Sequence, residues 1–179
     1  MKVYKKVSEK LIGWIASIYK FGATKDGGKT WTEVALPEEV GEGKNKIAAI
    51  HISKDTTGYL LDEKGNLYIT SDSGASWDKK ILDISSLNLK NGVISTSGSP
   101  HAAIKFYSES NGIIAFSSIS DGAGKTWIAQ TQDGGDTWSL ETLDFGDRYQ
   151  LTLLHITNDG KYLTISETKD TDVLELNYE

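Results

Sequence analysis

The sequence predicts an all-β chain, a β-propeller-like array of about four blades of antiparallel strands with three hairpins of one template. Three observations predict it. The pattern Thr-x-Asp-x-Gly-x-Ser/Thr-Trp occurs three times, as TKDGGKTW from Thr24, TSDSGASW from Thr70 and TQDGGDTW from Thr131. Its aspartates, Asp26, Asp72 and Asp133, lie 46 and 61 residues apart. The runs between the copies are short, apolar and β-branched, and turn residues bound them, which is the pattern of strands. A unit of roughly 45 residues with up to four strands has the period of a propeller blade.

The elements follow in order. The first unit, about residues 1–37, carries Gly13 as a turn glycine. The second, about 46–83, reads as strand, turn at Thr56 to Gly58, strand, turn at Lys64-Gly65-Asn66, strand and hairpin. The third, about 101–144, opens in the same way, with Gly112 in the place of Gly58. The fourth, about 149–179, turns at Asn158-Asp159-Gly160 and reads as one strand short. Together they form a single domain over 1–179. Both prolines, Pro37 and Pro100, fall between units. The connection ISSLNLKNGVISTSGS is long for a compact domain, and a helical turn is expected around Ile84 to Leu89.

The repeated hairpin has a physical logic. Aspartate accepts hydrogen bonds from amides just ahead of it, and Gly28, Gly74 and Gly135 tolerate positive φ. Trp31, Trp77 and Trp138 are expected to pack beneath the turn as core anchors.

These three copies resemble the Asp-box, or bacterial neuraminidase repeat. The box occurs in sialidases, sortilin-type receptor propellers, some endoglucanases and propellers of the photosystem II assembly factor type. The texture GYLLDEKGNLYIT is similar to the last group. The resemblance implies a propeller in which the box joins a blade's third and fourth strands, remote from any active site. It implies fold more than activity. Such propellers usually have six or more blades, so this chain is expected to be a short closed ring, part of a larger one, or an open array that pairs with another copy.

Composition narrows the partners. The net charge is −6, which disfavours nucleic acid and anionic membranes. No cysteine is present, so thiolate metal sites, thiol nucleophiles and disulfides are excluded. No apolar run is long enough for a membrane-spanning helix. The lysines of MKVYKKVSEK lack a following apolar segment. The expected compartment is outside the cell or on its surface if a leader has been removed, and the cytoplasm otherwise.

The stretch SISDGAGKTW invites a nucleotide reading through Gly124-Lys125-Thr126. A phosphate-binding loop needs a glycine five residues before Gly124, between a strand and a helix; Ile119 stands there, and a strand and a box follow. The stretch reads instead as an enlarged hairpin tip, with Asp121 and Lys125 as candidate partner contacts.

Sialidases of the resembled family clamp a carboxylate with three arginines, whereas Arg148 is the only arginine here. Other glycosidases need two carboxylates at a set separation, and none of Asp62, Glu63, Glu109 and Glu167 is singled out. Aligned on the turn glycines, Lys6, His51 and Lys105 take one position in successive units, and His155 takes it in the fourth when a one-residue deletion is allowed. If that strand is innermost they gather near the axis, as an anion site or as hydrogen-bonded links between blades. No metal site and no cofactor is expected, since no acidic ligand is placed beside His51 and His155. Trp14 and Trp127 lie outside the boxes and read as packing residues or a sugar-stacking surface. The function expected is a non-catalytic binding or assembly scaffold that contacts a protein or glycan through loops and the axial face. The rival is a carbohydrate-active, glycoside hydrolase or sialidase-like enzyme, or a fragment of one. An unpaired blade edge would also invite a homodimer.

Overall fold

A computed structural model describes residues 13–17, 19–53, 56–96, 102–120, 123–144, 150–156 and 162–167. The described residues form four antiparallel sheets, each a meander. The first holds β1 (Gly13–Ala16), β2 (Phe21–Thr24) and β3 (Thr32–Glu33). The second holds β4 (Ile47–Ile52), β5 (Gly58–Asp62), β6 (Asn66–Thr70) and β7 (Asp78–Ile81). The third holds β8 (Ala102–Phe106), β9 (Gly112–Ser120), β10 (Ala123–Thr131) and β11 (Ser139–Asp144). The fourth holds β12 (Gln150–Ile156) and β13 (Tyr162–Glu167).

The turn glycines open equivalent strands: β1 begins at Gly13, β5 at Gly58 and β9 at Gly112. Close packing accounts for Gly112, where a Cβ would lie 2.6 Å from the Phe106 ring. Opening strands of successive sheets lie beside one another, β4 against β8 and β8 against β12.

Stacking buries both faces of the inner strands, so β5 is buried at every position. On β9, Ile114 and Phe116 join the cluster shared with the second sheet. Their neighbours Ile113 and Ala115 join Ile128 and Ile156 on the opposite face. Tyr59 and Phe106 stack between the second and third sheets, ring centroids 3.9 Å apart. Trp127 is buried and stacks on Phe116 at 5.6 Å, so it is a packing residue. Side chains of this size contribute about 2–3 kcal/mol each by burial. On the second sheet, Ile47, Leu60 and Tyr68 form a third cluster with Val40 of the connection before it.

Three expectations change. The helical turn lies at Lys90–Gly92, where Asn91 has φ of 60°, and not over Ile84 to Leu89. Residues 84–89 hold a single turn, closed by Leu87 N donating to Ile84 O at 3.1 Å, and the Ile84 and Leu89 side chains enter the core. The enlarged tip in the third sheet is also shorter than expected. Gly124, Lys125 and Thr126 are strand residues facing Ile119, Ser118 and Ser117, because cross-strand pairing continues to Ala123 and Ser120. Phosphate could not be cradled there, since these amides lie in a ladder. Finally, the box tryptophans are not uniformly core. Trp31 is 45% exposed, and Trp77 and Trp138 are half-buried.

Candidate functional site

The boxes form the same hairpin three times. Thr24 Oγ1 donates to Asp26 Oδ1 at 2.7 Å and accepts from Gly28 N at 2.9 Å. Thr30 then donates from its amide to Oδ1 at 2.9 Å and from its hydroxyl to Oδ2 at 2.6 Å. Thr70, Asp72, Gly74 and Ser76 repeat this set. Thr131, Asp133, Gly135 and Thr137 repeat it again. Hydroxyl donation by Ser76 and Thr137, with the amides next, lowers the Asp72 and Asp133 carboxyls to about 2. Thr30 does the same to Asp26 and holds it further down. Such weak bases suit turn capping, not proton abstraction near neutral pH.

Each later box seats on the sheet before it. Trp77 donates its indole N–H to Ala35 O at 2.9 Å and packs against Phe21 at 6.2 Å between ring centroids. Gly74 lies against Val34. One unit on, Gly135 lies against Leu67 and Lys80, and Lys80 pairs with Asp136. Phe21 and Leu67 each stand three residues before a box threonine, and Val34 and Lys80 three after a box tryptophan. The docking register is therefore the same twice.

The axial set is placed in part. His51 faces Tyr59, Lys105 faces Ile113 and His155 faces Leu163, each one residue before the strand's last pair. These three share one register position on neighbouring opening strands. His51 Nε2 lies 3.2 Å from Phe106 O of the next sheet, so the nitrogen there carries the proton. Its ring stacks on Tyr59 at 5.9 Å. Lys6 and Asp121 lie outside the described residues. Lys125 stands on β10, two strands out from Lys105.

A groove of about 350 Å³ between the connection at residues 35–39 and the second sheet was not foreseen from the sequence. Its walls come from residues 35–39, the second box, Tyr68 and Lys79. The Tyr68 hydroxyl donates to Glu39 Oε2 at 3.1 Å and lies 3.5 Å from Asp62 Oδ2. Lys79 Nζ donates to the same Glu39 oxygen at 2.5 Å. Asp62 is fully buried and accepts from the amides of Lys64 and Asn66 and from both asparagine side chains, Asn45 and Asn66. Burial, and then the Asp62 charge, push the Tyr68 hydroxyl well above the ordinary tyrosine range, so it is a proton donor here and not a nucleophile. The Asp62-x-x-Gly-Asn turn was the available signal for half of this cluster; Glu39 comes from a loop with no pattern.

Among the described residues no group of three or more His, Asp or Glu side chains could hold a metal ion. Nor is any described helix long and apolar enough to cross a membrane.

No family model and no curated protein matches the sequence. Solved structures similar to it include two of YCF48. "YCF48 bound to D1 peptide" aligns over 88% of this chain with a TM-score of 0.59 and 22% identity. YCF48 from Cyanidioschyzon merolae aligns over 87% of this chain and 76% of its own, with a TM-score of 0.38 and 13% identity. The chain spans 45% of the length of the first structure. YCF48 is a photosystem II assembly factor with a β-propeller fold, and this chain has that all-β, antiparallel propeller fold.

Proposed function

We propose that the chain is a non-catalytic binding or assembly scaffold of the Asp-box type, built from blades near 1–37, 46–83, 101–144 and 149–179. Its partner is an extended segment of a protein. The observation that carries this is the groove between the connection at residues 35–39 and the second sheet. Its ionisable groups Glu39, Tyr68 and Lys79 are bonded to one another, which suits holding a chain more than transforming it. A structure similar in fold was solved with a peptide, "YCF48 bound to D1 peptide", which supports the same class of partner. The tip near Asp121 and Lys125 and the axial row of Lys6, His51, Lys105 and His155 are further candidate contacts.

The glycan reading rests on Trp31, an exposed aromatic ring on which a sugar could stack. The glycoside hydrolase rival gains nothing from the box carboxylates, which are fixed as turn caps. The test is a fluorescence-polarisation screen with a labelled peptide library, run beside a glycan array and a fluorogenic sialoside and β-glycoside panel. Peptide binding weakened by Lys79→Ala is expected. Turnover that disappears when one acidic residue is neutralised would sink the scaffold reading.

A further inference from the structure

The outer strand of the second sheet presents backbone groups that its own sheet does not use. In the first sheet Val34 N donates inward to Phe21 O at 2.8 Å, so the next carbonyl, that of Ala35, points outward and accepts from Trp77 Nε1. The second sheet repeats this one unit on. Leu82 N donates inward to Gly65 O at 2.8 Å, and Lys80 faces Leu67 between Lys79 and Ile81. Inward bonding alternates along an antiparallel pair, so the N–H and C=O of Lys79 and Ile81 point away from β6. Ile81 follows Trp77 by four residues, as Ala35 follows Trp31. Its carbonyl thus matches the Ala35 carbonyl, yet the matching indole, Trp138 Nε1, has no acceptor among the described residues. Ile81 is 64% exposed, and its side chain lies on the face of the sheet that carries Tyr68, Lys79 and the groove.

We infer that an extended segment of a partner protein adds to the outer edge of β7 as a fifth strand of the second sheet. This rests on the peptide-binding reading and supplies its mode. Two observations select the occupant. An edge that presents N–H and C=O at every second residue is matched by an extended backbone, which offers acceptors and donors at the same repeat. The groove is also continuous with that edge, since Lys79 belongs to both. The edge of the first sheet is closed by contrast: β3 is two residues long, and the Ala35 carbonyl beyond it is bonded to Trp77. A strand on β7 places one side chain opposite Ile81, where a β-branched or aromatic residue covers the exposed isoleucine. Lys80 projects from the other face and stays paired with Asp136.

The test applies the labelled peptide library to the 179-residue chain and to its Ile81→Pro and Ile81→Ala variants. Proline removes the outward N–H and no inner ladder bond, and edge positions of this kind accept it. Ile81→Pro is expected to weaken the tightest peptide on the order of ten-fold, and Ile81→Ala, which keeps the N–H, less. Amide exchange followed by nuclear magnetic resonance on the unsubstituted chain needs no variant to fold. Saturating peptide should slow the amides of Lys79 and Ile81 and leave that of Lys80, which already faces β6, as it was. Peptide binding that depends on Lys79 but leaves those two amides in fast exchange, or that Ile81→Pro does not change, would overturn strand addition while the groove reading stands. A library without a binder would overturn both.

Discussion

Trp77 donates its indole proton to the Ala35 carbonyl at 2.9 Å, a bond that joins two sheets 42 residues apart in sequence. The corresponding proton of Trp31 goes to Gly28, inside its own turn. The same eight-residue pattern therefore serves two purposes. Within the hairpin it satisfies backbone groups that the turn leaves without ladder partners. Between sheets it presents a tryptophan edge and a bare glycine to the neighbour. Trp138 differs again: among the described residues its buried Nε1 has no acceptor, and its ring meets Phe106 edge-on at 6.4 Å.

The box glycines should differ in tolerance although their sequence context is shared. All three have positive φ, 90° at Gly28, 85° at Gly74 and 94° at Gly135, so each alanine meets about 1–2 kcal/mol of backbone strain. At Gly74 the new Cβ would also lie 2.1 Å from Val34 Cγ1, and at Gly135 3.1 Å from Leu67 Cδ2. Overpacking adds about 1–3 kcal/mol where the neighbour cannot yield. Urea unfolding should rank Gly74→Ala as most destabilising, then Gly135→Ala, then Gly28→Ala. A loss at Gly28 equal to that at Gly74 would refute the docking role.

Acid should unfold the protein through the boxes. Asp72 and Asp133 ionise at about 2 in the folded chain, against 3.8 for an ordinary aspartate. Between those values the unfolded chain binds more protons, so stability rises with pH. The contribution is complete above about pH 5 and disappears as pH falls through 4 toward 2. Asp72→Asn and Asp133→Asn should each flatten that acid limb and lower the plateau, read from urea midpoints across pH. An unchanged acid limb would mean that these carboxylates are not the linked groups.

The repeat was legible because it is local. Thr70, Asp72, Gly74 and Ser76 close on themselves within seven residues, so the hairpin needs no tertiary information. Strand starts at Gly58 and Gly112 were legible for a related reason, since a turn glycine marks them. What could not be read was which faces meet. Trp31 is 45% exposed while Trp77, in the same pattern, packs on Phe21 and Ala35, so exposure is set by the neighbour and not by the box. The extended β10 at Gly124-Lys125-Thr126 depends on pairing with β9, which overrides a glycine-rich composition that reads as loop. The groove cluster joins Glu39 to Lys79 across 40 residues, and no spacing rule links them.

Tyr68 should resist ionisation. Its phenolate would be buried near Asp62 and Glu39, so the folded state holds the proton above the usual range near 10. A raised folded value gives stability that is complete below the unfolded value and lost as pH rises beyond it. Ultraviolet titration at 295 nm should therefore be the same for the parent and Tyr68→Phe until alkaline unfolding begins. The substitution should cost about 1 kcal/mol through the Glu39 hydrogen bond. Loss of a titrating tyrosine near pH 10 in the variant would show that Tyr68 is open to solvent.

His51 decides between the two readings of the axial row. Its Nε2 sits 3.2 Å from the Phe106 carbonyl, across the boundary between the second and third sheets. A link between sheets predicts that His51→Leu lowers stability by about 1 kcal/mol, and that His51→Gln, which keeps an N–H donor, recovers part of it. It also predicts that sulfate raises the melting temperature equally in parent and variants, because a salt excluded from the surface acts on both alike. An axial anion site predicts otherwise. A bound anion adds stability by mass action, so sulfate would stabilise the parent more than His51→Leu, with a saturable dependence on its concentration. Equal slopes assign His51 to holding the sheets together, and a saturable difference assigns it to the anion.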